Sequence, residues 1–160
     1  MKTKEFFTTR TGLWVSSSFK ERMIFEDGKV EQVDSFDLTE NSYDSEIEQK
    51  PVTLSTVQSL IEKQWNGEEG KLLVNGYTNL FYVVGANGVL FVVRVRWRAD
   101  FRRWGVDAWG LDESGDWNAG YRVFRNTQTL STPALEPLSS ALENAIKLVK
   151  ESGYKVIKEM

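Results

Sequence analysis

Histidine and cysteine are both missing from the 160 residues of this chain. Without cysteine there can be no disulfide, thiolate nucleophile, zinc knuckle or iron–sulfur ligation. Without imidazole as well, the Ser–His–Asp and Cys–His nucleophile arrangements and the usual transition-metal sites are excluded. Catalysis is left to carboxylates, lysine, tyrosine or an oxygen-bound magnesium or calcium ion. That base is narrow, and the sequence reads as a non-catalytic protein with no metal site and no cofactor. Long apolar runs are missing too: MKTKEFFTTRTGLW has no signal-type apolar stretch, and nothing later approaches the ~18 residues of a membrane span. The expectation is a soluble, cytoplasmic protein with no membrane partner.

What is present suffices for a core. With 41% hydrophobic and 12% aromatic residues, a chain of this length folds as one domain, residues 1–160, and buries roughly 70% of the surface its unfolded form exposes. The net charge of −3 hides an uneven distribution. Glu26, Asp27, Glu31 and Asp34, followed by Asp37, Glu40, Asp44, Glu46 and Glu48, face only Lys29 and Lys50. Further on, Arg94, Arg96, Arg98, Arg102, Arg103, Arg122 and Arg125 outnumber the acids between them. A bipolar chain selects partners by charge more sharply than its net value suggests.

Periodicity predicts an α+β domain of order βββ–α–ββββ–α–β, an antiparallel sheet with two covering helices. Phe6 and Phe7 fall in a β-prone run. Asp27-Gly28 then sits between apolar-bearing arms, the signature of a two-residue hairpin that would pair Phe25 with Val30 and Phe19 with Phe36. The competing assignment is a short helix capped by Ser18 with Glu21 three residues on; the hairpin is preferred because Asp-Gly suits positive φ at both turn positions. Residues 37–51, rich in acids and without apolar periodicity, read as an exposed loop. Leu54, Val57, Leu60, Ile61 and Trp65 recur at helical spacing, with Thr53 or Ser55 as N-cap and Asn66-Gly67 as the stop. Asn87-Gly88 marks a second tight hairpin, Asp100-Phe101 a third reversal and Glu113–Asp116 a fourth. PLSSALENAIKLVKES predicts the second helix, and YKVIKE a last strand.

In VVRVRWRADFRRW, strand alternation puts Arg94, Arg96 and Arg98 on one face and Val93, Val95 and Trp97 on the other. A hairpin centred on Asp100-Phe101 pairs Trp97 with Trp104, Val95 with Val106 and Val93 with Ala108, a coherent buried face. The same register opposes Arg98 to Arg103, Arg94 to Asp107 and Val92 to Trp109, with Trp109 in cation–π reach of Arg94. Three readings compete for the arginine face. It is a solvated face laced by an Arg94–Asp107 pair, or it is neutralised by the chain's own acidic loop, or it binds an external anion or acidic partner. Arginine in place of lysine favours bidentate carboxylate or phosphate contacts, and Arg98 opposite Arg103 is a like-charge pair that wants an anion. Trp97 and Trp104 belong to the core, whereas Trp109 and Trp117 are candidates for the contact surface.

Other motifs are weak. GVLFVV has the cadence of an RNA-recognition strand without its basic and paired aromatic positions, and LDESGDW lacks the order of a calcium loop. There is no P-loop and no G-x-G-x-x-G. WRADFRRWGVDAWGLDESGDWNAGYRVFRN resembles a group of short uncharacterised bacterial proteins, many from candidate-phylum genomes. Trp97, Ala99-Asp100, Arg103-Trp104, Leu111-Asp112, Trp117, Ala119-Gly120 and Arg122-Val123-Phe124 carry the likeness. It extends more loosely from the PVTL helix to the terminal GYKV strand and leaves out the acidic N-terminal region. That group has no assigned activity, so the resemblance implies no mechanism.

The leading functional expectation is a small binding protein that acts on another protein, in an immunity, antitoxin or inhibitor-type role. The first alternative is an anion or nucleic-acid binder using Arg94, Arg96, Arg98, Arg103 and Trp109; a sequence pI near 5.2 weighs against nucleic acid. The second is a carboxylate-based hydrolase around Asp100, Asp107 and Asp112.

Overall fold

Two rows of side chains on one central strand organise the molecule. The computed structural model describes residues 1–111 and 116–127, which belong to one unit, Met1–Thr127. In chain order these form α1 (Thr3–Thr8), β1 (Leu13–Val15), α2 (Ser17–Arg22), β2 (Val33–Asp37), β3 (Ser42–Tyr43) and a single 3-10 turn, Asp44–Glu46. Then follow α3 (Leu54–Lys63), β4 (Asn79–Val84), β5 (Leu90–Arg98), β6 (Arg103–Gly110), β7 (Asp116–Trp117) and β8 (Arg122–Asn126). Six strands make one sheet in the order β1-β6-β5-β4-β8-β2, and β3 pairs with β7 separately. The helix and strand expected after residue 136, and most of the reversal at 113–116, lie outside the described residues.

The fold is α+β, but the sheet is mixed and not antiparallel: β1 runs parallel to β6, and β4 parallel to β8. A strand that follows a tight turn must run antiparallel to its predecessor. After β6, however, the chain crosses the sheet face through β7 and returns beyond β4, so no hairpin dictates its direction.

The middle of the sheet follows local signals. At Asn87-Gly88 both residues have positive φ, 61° and 71°, and Val89 N–H donates to the Ala86 carbonyl at 3.2 Å, joining β4 to β5. The β5–β6 register is the expected one, Trp97 opposite Trp104, Val95 opposite Val106, Val93 opposite Ala108, Arg98 opposite Arg103 and Arg94 opposite Asp107. Trp104 is fully buried, meets Trp97 edge-on at 5.4 Å and donates its indole N–H to the Gln64 carbonyl at 2.8 Å. Helix α3 begins at a Thr53 cap that accepts from Thr56 N–H at 3.2 Å and ends at Lys63 with Gln64 as its C-cap, three residues ahead of the expected Gly67, which has φ +79° and ends the turn that follows. Its apolar row, Leu54, Val57, Leu60 and Ile61, joins Phe81, Val93, Val95, Trp97 and Trp104 in the main core.

The N-terminal third departs from the expected meander. Phe6 and Phe7 both enter the main core. Neighbouring residues of a strand point to opposite faces, so burying both favours the helix α1. Phe19 lies on α2, capped by Ser16 and not Ser18, with the Ser16 hydroxyl accepting from Phe19 N–H at 3.0 Å. Phe25 packs beside Phe7 and Phe19, Val30 is exposed, and Phe36 sits on the opposite side of the sheet, so the Asp27-Gly28 hairpin does not form. Tertiary partners claim those turn residues. The Asp27 carboxylate accepts from Thr3 N–H and Thr3 hydroxyl at 2.9 and 3.0 Å, capping α1 from a distance, while Gly28 N–H donates to Ser55 at 2.9 Å. Among the described residues there are three α-helices in place of the single one expected before residue 128, all contributing to the core on one face.

Candidate binding surface

The other sheet face is divided. Leu80, Tyr82, Val92 and Val123 on β4, β5 and β8 form a second core with Leu38, Ile47 and Trp117. The segment expected to be an exposed loop, 37–51, supplies part of this cover. At its centre Asp44 is 6% exposed and accepts from the Tyr82 hydroxyl at 2.6 Å and the Trp117 indole at 2.7 Å. Burial first, and then the hydrogen bond to the Asp44 carboxylate, push the Tyr82 hydroxyl pKa up. Trp117, read as a contact-surface candidate, is therefore a core residue at 4% exposure. Leu38 and Ile47 fall too far apart for any helical or strand period, which is why the segment has no apolar signature of its own.

The remaining half of this face has no such cover among the described residues. Arg94, Arg96 and Arg98 stand along β5, with Asp107, Gly105 and Arg103 opposite them on β6 and Trp14 opposite Gly105 on the edge strand β1. A cleft of about 190 Å³ runs between Trp14 and the three arginines, lined also by Thr78, Val106 and Asp107. The expected Arg94–Asp107 ion pair is not made. One Asp107 oxygen accepts from the Ser16 hydroxyl at 2.6 Å and from Ala108 N–H at 2.9 Å, and the other takes the Trp109 indole at 2.7 Å. These donors engage both carboxylate oxygens. The Nε atoms of Arg94 and Arg103 are buried with no hydrogen-bond partner.

Aromatic rings support the guanidiniums. The Arg94 Cζ lies 5.3 Å from the Trp109 ring centroid and 5.6 Å from that of Trp117. At the hairpin end, Arg98 and Arg103 both approach the Phe101 ring, at 5.4 and 5.0 Å. A ring quadrupole attracts each cation by roughly 0.5–1 kcal/mol at an exposed site, which offsets part of the Arg98–Arg103 repulsion without an anion.

The acidic region neutralises other arginines. Asp37 grips Arg122 with two bonds of 2.7 and 3.1 Å, and Asp34 grips Arg125 at 3.0 and 3.1 Å, with Glu48 adding a third contact at 3.2 Å. The guanidinium hydrogen bonds hold both the Asp34 and Asp37 carboxyls below their ordinary value of 3.8. Glu46 accepts from Tyr43 N–H at 2.8 Å, and Glu40 is exposed. None of these acids pairs with Arg94, Arg96, Arg98 or Arg103.

Of the expected surface residues, the fold brings together Arg94, Arg96, Arg98, Arg103 and Trp109. It buries Trp117 and scatters the acids: Asp37 and Glu48 to the outer arginines, Asp44 to the second core. Asp100 is exposed in the turn between β5 and β6, whereas Asp107 lies well along β6, and Asp112 is outside the described residues. Among the described residues no three acidic side chains cluster closely enough to hold a metal ion, and no helix is long and apolar enough to cross a membrane. Three contributors escaped the sequence reading. Trp14, between Leu13 and Val15, carried the signal of strand alternation; Phe101, an apolar residue at a hairpin tip, and Gly105, opposite Arg96 in the expected register, were equally accessible. Fold and surface thus define a class, an α+β domain with a mixed sheet, one half-face of which carries arginines that the described residues leave uncovered. Compared with family models, curated proteins and solved structures, the chain matches none of them.

Proposed function

We propose that this is a non-catalytic binding protein whose open half-face receives an acidic surface of another protein. The observation that supports the reading is a contrast of pairing. Arg122 and Arg125 are matched by carboxylates of β2. Arg94, Arg96, Arg98 and Arg103, a few strands away, make no ion pair or side-chain hydrogen bond among the described residues, although Asp107 is directly opposite Arg94. A guanidinium without a carboxylate partner presents a planar fork of donors, which the carboxylates of an acidic partner would engage bidentately. An immunity, antitoxin or inhibitor-type protein works through a surface of this kind.

The test is titration with polyglutamate and with oligothymidylate at several salt concentrations. Arg96→Glu combined with Arg98→Glu should abolish polyglutamate binding and leave the melting curve unchanged, because reversed charge at a contact repels directly. If the double variant binds polyglutamate as the parent does, the partner does not use this face. Preferential binding of oligothymidylate, with a steep salt dependence, would replace the acidic protein with nucleic acid.

A further inference from the structure

We infer that the arginine ladder reads carboxylates placed at alternate residues of an extended segment, so that the partner presents an acidic strand and not a compact acidic patch. The inference rests on the acidic-partner reading and adds the geometry of what is bound. Spacing is the first support. Arg94, Arg96 and Arg98 recur every second residue of β5, a repeat of about 6.5–7 Å, and that is also the repeat at which alternate side chains leave one face of any extended chain.

Preorganisation is the second. Arg94 is held at one end of the ladder by Trp109 and Trp117, and Arg98 at the other by Phe101. Cation–π contact leaves the in-plane N–H donors of a guanidinium unspent; since the Arg94 Nε is itself buried, its terminal Nη groups are the donors left for a carboxylate. Side chains already ordered lose little rotamer freedom on binding. Arg96, exposed and in no cation–π pair among the described residues, is the adjustable rung between two fixed ones.

Shape is the third. Opposite Arg96 the sheet has Gly105, and this missing side chain forms the floor of the cleft beneath Trp14. A Cβ there would stand 3.3 Å from Trp14 Cε3 and 3.8 Å from Arg98 Cγ, so anything larger than alanine would occupy the space itself. A single-stranded nucleic acid repeats its charges at a comparable spacing but needs successive free aromatic faces for its bases. Here the rings of Trp109, Trp117 and Phe101 lie against guanidiniums, which leaves the half-exposed Trp14 as a single ring in the cleft and not a succession of them.

The experiment compares two peptides of one composition, one with aspartates alternating with threonines and the other with its aspartates contiguous, alongside oligothymidylate. Binding is followed by calorimetry. The alternating peptide should bind about tenfold more tightly than its isomer, the equivalent of roughly one charge-assisted contact. Gly105→Val, which leaves every arginine in place, should remove that advantage, as should Arg96→Gln, an exposed change that spares the fold should the valine disturb it. Equal affinity for the two peptides would overturn the alternating geometry and leave the acidic-partner reading standing. Failure of both peptides to bind, or a preference for oligothymidylate, would overturn both.

Discussion

Strand β5 gives its two faces opposite fates. Val93, Val95 and Trp97 face three helices and are buried; Arg94, Arg96 and Arg98, interleaved with them, face a half-covered surface. The same division recurs among the arginines themselves. Those near β2 lie opposite acids in register, Asp37 with Arg122 and Asp34 with Arg125, whereas the acid opposite Arg94 is diverted to Ser16, Ala108 and Trp109. Cross-strand opposition alone therefore does not make an ion pair. Competing donors on neighbouring elements decide whether the carboxylate is free to reach the arginine.

Truncation on the helix side should be the most damaging. Trp104→Ala removes a fully buried indole together with its hydrogen bond to Gln64, and an unfolding free energy lower by about 3–5 kcal/mol is expected in urea denaturation. A shift well below that would mean that the two faces of the strand differ little in burial. Next comes the covered half of the opposite face. Asp44→Ala strands the Tyr82 hydroxyl and the Trp117 indole and should cost about 1–3 kcal/mol, with hydrogen exchange at Ser42 and Tyr43 accelerating first. If those amides stay protected, the β3–β7 cover does not depend on the buried carboxylate.

On the open half, Arg96→Glu with Arg98→Glu should move stability by less than about 0.5 kcal/mol, with a slight gain open to it through relief of the Arg98–Arg103 repulsion. A large loss would reveal that these cations are neutralised from within the chain and would remove the contrast on which the function rests. The smallest signal belongs to the paired arginines. The folded-state pKa values of Asp34 and Asp37 are depressed, so their contribution to stability is complete above 3.8 and is lost as pH falls through the folded values. Carboxyl chemical-shift titration should place both midpoints below 3.8, and Arg125→Gln should return that of Asp34 toward it; an unmoved midpoint would show the pairing to be absent in solution.

Legibility followed locality. Hairpins at Asn87-Gly88 and Asp100-Phe101, the β5–β6 register and helix α3 all rest on interactions between residues near in sequence, and each forms as the sequence implies. Asp27-Gly28 carries as strong a turn signal as Asn87-Gly88 yet serves as a seam between α1 and α3, because Thr3 and Ser55 offer its polar groups better partners than a turn would. For the acidic segment, composition indicates exposure, but a single leucine, a single isoleucine and one buried aspartate were enough to fasten it.

By itself, the sequence determined that Arg94, Arg96 and Arg98 share a face, that Trp97 and Trp104 meet on the other, and that imidazole and thiolate chemistry are excluded. Side-chain alternation and residue chemistry are properties of the chain that no packing can alter. Only the tertiary structure decided which arginines acquired acids. That outcome depended on where β8 landed beside β2, on the crossing that made the sheet mixed, and on the donors of Ser16 and Trp109 reaching Asp107 first. Each is a contest between partners distant in sequence, settled by the geometry that places them together.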